Sequence, residues 1–159
     1  MIILLAVLVF LFPPPQRIEY GSAAELKGVR TVFVYTGTDL KLREDLVAKI
    51  SKKLPAVAIA DKVEDAEVVV SLSNDSQKFL ATISTGPGGT LYPNYGSEQF
   101  GNGLVVKRGS ERGTIRLLMS WEGSKSSGGG PLKRLVSSKS IAAKFADAFI
   151  KAYLKANSQ

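Results

Sequence analysis

Neither cysteine nor histidine occurs anywhere in the 159 residues. Without thiols there is no disulfide framework, no thiolate nucleophile and no lipid-attachment cysteine. Without imidazole, the Ser-His-Asp triad, the Cys-His pair and every histidine-bearing metal site are excluded. Long apolar runs are scarce as well. The one at the start, Ile2 to Phe12, falls well short of the ~20 residues that a helix needs to cross a bilayer. It matches instead the roughly 7–15 residues of a signal-peptide core. Pro13-Pro14-Pro15 then stops any helix, because each ring removes a backbone donor.

Residues 1–15 are therefore expected to be a signal peptide or N-terminal anchor, and 16–159 a single domain exported to the periplasm or cell envelope. No Lys or Arg precedes the apolar run. The only small-residue cleavage candidate is Ser22-Ala23-Ala24, which together with Glu25 also reads as a capping box opening a helical turn.

Charge is scarce in one sense only: the C-terminal half has few acids. Residues 1–80 hold ten Lys/Arg and ten Asp/Glu, whereas residues 81–159 hold eleven basic and four acidic, so the whole net charge of +7 lies there. Such asymmetry implies an anionic counterpart or a solvating basic surface.

The β-branched stretch Val29–Tyr35 predicts a strand. Thr38 or Asp39 then caps a helix to about Lys53, with Leu40, Val47, Ile50 and Leu54 on one stripe and Leu46 beside it; Pro55 stops it. A short strand follows near Ala56–Ala60. Asp61–Asp65 is a polar connection, and Ala66–Ser73 is an interior strand, continuously apolar at its centre. Asn74-Asp75-Ser76 reads as a turn into a returning strand, Lys78–Ser84.

Thr85–Gly103, with six glycines, two prolines and three aromatics, reads as a long loop. Leu104–Gly109 and Thr114–Trp121 predict a hairpin, Gly123–Gly130 a flexible tract, and Ser138–Ala156 a final helix with Ile141, Phe145, Ala148, Phe149, Ala152 and Ala156 on its apolar stripe. The sum is an α+β fold: a mixed, mostly antiparallel sheet of about five to six strands, with two long helices packed on one face.

Catalytic patterns are weak. Glu44-Asp45 sits on a solvated helix face, and the Asp61, Glu64, Asp65, Glu67 cluster lacks the spacing of a calcium loop. In Ser137-Ser138-Lys139-Ser140 the serines serve as helix caps, and neighbours along a helix do not face each other. Gly123–Gly128 begins like a phosphate loop but continues with Gly129 and Gly130 where lysine is required. Gly101-Asn102-Gly103 precedes a strand, whereas a dinucleotide fingerprint follows one.

The stretch from Val29 to Ser73, with Leu42-Arg43 in its helix and Asp65-Ala66-Glu67 before its strand, resembles small uncharacterised bacterial exported proteins. It is similar in outline to cell-envelope accessory domains of the LptE-like and CsgG-like sort. That resemblance implies an envelope location and carries over no functional residue.

The expectation is a non-enzymatic binding or accessory domain without a cofactor. Its partner would be an envelope protein or an anionic surface such as lipid head groups or lipopolysaccharide. Tyr92, Tyr95 and Phe100 are the candidate anchors, with Lys107, Arg108, Arg112, Arg116, Lys144, Lys151 and Lys155 as the candidate basic surface. Two alternatives stand beside it. One is a small hydrolase using carboxylates or a Ser/Lys pair. The other is polyanion or nucleic-acid binding through the basic half, nucleic acid being the weaker case for an exported chain.

Overall fold

The computed structural model describes residues 17–85, 91–109, 111, 114–127 and 140–158, and across 77–85, 91–97 and 126–127 it describes the backbone alone. The expected leader, Arg112 and Ser137-Ser138-Lys139 lie outside those residues.

Among the described residues six strands form one sheet. They are β1 (Arg17–Tyr20), β2 (Thr31–Tyr35), β3 (Ala58–Ile59), β4 (Val68–Thr85), β5 (Leu91–Arg108) and β6 (Thr114–Ser127), in the spatial order β1-β6-β5-β4-β2-β3. A 3-10 turn, Ala23–Leu26, follows β1, and another, Val63–Asp65, precedes β4. The helices are α1 (Leu40–Lys53) and α2 (Ile141–Asn157). None of the described helices is long and apolar enough to cross a membrane.

The long β4–β5 and β5–β6 ladders are antiparallel, while β1–β6, β2–β3 and β2–β4 are short and parallel. The expected mixed, mostly antiparallel sheet is what the chain builds. The β2–α1–β3 unit is parallel, as strand–helix–strand chemistry requires.

Helix α1 starts where Asp39 accepts the Leu42 N–H at 2.9 Å, filling an otherwise orphaned donor. Ser140 does the same for Ala143 at the start of α2, at 3.1 Å. Both helices cover one face. Leu42, Leu46 and Ile50 of α1 and Ile141, Phe145, Phe149 and Ile150 of α2 share a core with Val32, Val34, Val68, Val70, Leu72 and Val105. Lys49 joins the two helices, pairing with Asp147 at 2.7 Å and donating to the Ala143 carbonyl at 3.0 Å.

The other face carries no α-helix among the described residues; Val63 of the second 3-10 turn packs there in a small cluster with Val69, Val106 and Ile115. There, one cross-strand row runs Tyr20, Leu117, Val106, Val69, Phe33. Val69 and Val106 are buried beneath their neighbours, while Tyr20 at the edge is 80% exposed.

Four expectations are corrected. Asn74-Asp75-Ser76 is not a turn: β4 runs straight through it, opposite Gly101, Phe100 and Gln99. A local turn preference is overridden by a long ladder. Nor is Leu91–Gly103 part of a loop: it pairs with β4 from Thr85 back to Leu72, while residues 86–90 of the expected Thr85–Gly103 loop lie outside those described. Its Gly101 and Gly103 are there for space, since a Cβ on either would overlap Ile141 or Phe145. The tract from Gly123 to Ser127 is strand rather than flexible linker; Gly123 packs tightly against Trp121. Leu40 belongs to no buried stripe, being 70% exposed, and Leu42 takes its place.

The last helix holds the first described turn. Tyr153 Oη donates to the Val29 carbonyl at 2.8 Å, and Asn157 Nδ2 to the Leu26 carbonyl at 3.2 Å. In return the Asn157 side-chain oxygen accepts the Gly28 N–H at 2.9 Å. Gly28 has φ +76°, a left-handed conformation that suits glycine.

Candidate functional site

Lys107 and Arg116 are cross-strand partners on β5 and β6, and Arg116 stands beside Glu19 of β1. Above them the 3-10 turn supplies Glu25, whose carboxylate also accepts the Ser22 N–H at 3.2 Å. Arg116 Nε and Nη2 both donate to Glu25 at about 2.9 Å, and Arg116 Nη1 donates to Glu19 at 3.1 Å. Lys107 completes the cluster through Glu25. The result is two cations against two carboxylates.

Hydrogen bonds from Arg116 first, and Lys107 second, hold the Glu25 carboxyl well below its ordinary 4.5, at about 2. The same contacts raise Arg116. A carboxylate held ionised this way has no proton to give at neutral pH. The cluster clamps β1, β5, β6 and the turn together. Glu67 plays a similar part: it accepts the N–H groups of Arg30 at 2.6 Å and Thr31 at 2.9 Å, which lower its pKa.

The expected basic surface therefore separates into groups. Lys107 and Arg116 are committed to carboxylates. Arg108 reaches the Glu64 carbonyl at 3.4 Å, and Lys144 donates to the Ser124 carbonyl at 2.7 Å. Lys151 and Lys155 are exposed on α2. Phe100 is 37% exposed on β5. Tyr92 and Tyr95 lie opposite Ser84 and Leu80 in the β4–β5 ladder. Arg112 is outside the described residues.

Lys151 and Lys155 stand at a groove that the sequence did not disclose. It has a volume of about 510 Å³ and runs between α2 and the 3-10 turn; Ala23, Ala24, Ala148 and Ala152 make most of its wall. Ala148 and Ala152 read as core positions, and Ser22-Ala23-Ala24 as a cap or cleavage point. The two segments lie more than a hundred positions apart, so no local pattern signals that they meet. Small side chains leave the hollow between them, and lysines one helical turn apart share a face. Two cationic side chains one turn apart beside an apolar wall can attract an anion.

No protein-family model matches the chain, and no curated protein matches it. Solved structures of similar outline include the rare lipoprotein B from Shewanella oneidensis, 16% identical, covering 80% of this chain and 90% of that one, with a TM-score of 0.39. The minor lipoprotein from Acinetobacter baumannii is 9% identical over 79% of this chain and 81% of its own, at a TM-score of 0.39. A DUF4136 family protein from Bacteroides thetaiotaomicron is 9% identical over 92% and 95%, at 0.41. Similarity at this level assigns neither a family nor a ligand.

Proposed function

We propose that the chain is an exported, non-enzymatic accessory domain of the bacterial cell envelope that engages anionic amphiphiles through the alanine-walled groove. One observation carries the reading. Lys151 and Lys155 flank an apolar hollow and have no partner among the described residues. Lys107 and Arg116, by contrast, are neutralised within the fold. A phosphate-bearing head group can settle between the two ammonium groups while its first methylenes cover alanine. The brief apolar leader supports export, and the basic excess of the C-terminal half supports an anionic counterpart.

The test is sedimentation with vesicles of phosphatidylglycerol, set against vesicles of phosphatidylcholine. Binding to the first alone, weakening as salt rises, is expected. A basic residue near an anionic surface contributes about 1 kcal/mol. Lys151→Ala with Lys155→Ala should therefore weaken binding roughly thirtyfold. Equal binding of both vesicle types, or an unaffected double variant, refutes the reading. Finding the chain in the cytosol after fractionation refutes the location.

A further inference from the structure

β4 is paired on both sides for only a fraction of its length. Its parallel neighbour β2 stops at Tyr35, opposite Ser71, while β5 follows it to Thr85. From Leu72 to Thr85 the outer edge of β4 meets no other described strand. At about 3.3 Å per residue this edge is ~45 Å long. Among the described residues β6 follows β5 only as far as Ser97. Beyond that point two described strands, β4 and β5, continue the ribbon, and a two-stranded ribbon is marginal by itself.

A row of unpaired N–H and C=O groups is a template for another strand, and edges are ordinarily blunted by proline, charge or brevity. Little of that protection is present. The span 72–85 contains no proline, and its single acid and single base, Asp75 and Lys78, cancel. A bulge between Leu80 and Thr82 interrupts the far part. The near part, Leu72 to Gln77, is regular, and Asn74, Asp75 and Ser76 are exposed.

We infer that this edge is the seat of a homodimer in which β4 pairs antiparallel with β4 of a second copy. An edge strand is complementary to itself in the antiparallel sense, so a two-fold axis matches donors to acceptors without a second surface. The balanced charge of the edge brings no net repulsion. The alternative, head-to-tail addition to the outer edge of β6, leaves an edge open at each end and would grow into filaments unless it closed in a ring. A two-fold pair consumes both edges at once and joins two six-stranded sheets into one. This inference is independent of the groove and needs no lipid.

The absence of native cysteine makes the test direct. Ser73→Cys, Asn74→Cys, Asp75→Cys and Ser76→Cys are made singly in the full chain and oxidised without lipid. The variant nearest the axis should give a disulfide-linked dimer, since opposed residues bring their Cα atoms to about 4.5–5.5 Å. In parallel, the unmodified chain should sediment as a dimer. Asp75→Lys with Ser76→Lys should raise its dissociation constant at least tenfold, with unchanged circular dichroism. Three results overturn the inference: a monomer at every concentration, an assembly larger than a dimer, or a dimer that neither cross-links at any of the four positions nor responds to the lysines.

Discussion

The ring of Phe145 in α2 lies so close to Gly103 in β5 that a Cβ on the glycine would overlap ring carbons. The same ring stacks on Trp121 of β6, centroids 5.4 Å apart and tilted by 39°. One aromatic thus sets how near the helix comes to two strands, and the glycine is a vacancy required by it.

Gly103→Val should destabilise the fold by about 1–3 kcal/mol, the usual cost of forcing methylenes into a filled core. Urea titration measures it. Combining it with Phe145→Leu should cost less than the sum of the two single changes, because the smaller side chain returns the room the valine needs. Strict additivity would show that the contact is not what excludes a side chain at 103.

Glu25 makes a pH prediction of definite sign. Its folded pKa of about 2 lies below the ordinary 4.5. The stabilisation it contributes is therefore complete above pH 4.5 and is lost as pH falls toward 2. In Glu25→Gln the unfolding free energy from urea titration should fall relative to the unmodified chain above pH 4.5, by up to about 1 kcal/mol for an exposed ion-pair network. The two proteins should converge near pH 2. Some acid sensitivity should survive in the variant, since Glu67 is also held low by the N–H groups of Arg30 and Thr31. A gap between the two proteins that is independent of pH would contradict the assignment.

Leu40 and Leu42 test which face of α1 is inside. Leu42→Ala should cost about 2–5 kcal/mol, as deletion of a buried leucine does. Leu40→Ala should stay within about 0.5 kcal/mol. Thermal or urea unfolding of the two variants checks the order; equal losses would mean that the buried stripe is not Leu42, Leu46, Ile50.

The helices were legible because their signals are local. Asp39 and Pro55 bracket α1, and the apolar period of α2 places Phe145 and Phe149 inward. The strand through Val68-Val69-Val70 was legible as an unbroken apolar run. What failed depends on remote partners. Arg17–Tyr20, with two charges in four residues, is a strand only because β6 pairs with it and Arg116 neutralises Glu19. Asn74-Asp75-Ser76 and the glycines of β5 carry turn chemistry, yet a ladder and two helix side chains decide their conformation. Of the expected basic surface, composition showed the excess but not which cations carboxylates would claim. The groove was invisible because its two walls come from opposite ends of the domain.

The bonds from Tyr153 and Asn157 to Val29, Leu26 and Gly28 tie the last helix to the segment between β1 and β2, more than a hundred positions away. Contacts so distant along the chain carry the entropy of closing a long loop, which must be met before they return any stability. A fragment of this chain that stopped short of α2 would lack Phe145 and Phe149 in its core and leave the Leu26 and Val29 carbonyls without these donors, so the helical face is completed by sequence-remote pieces meeting rather than by either alone.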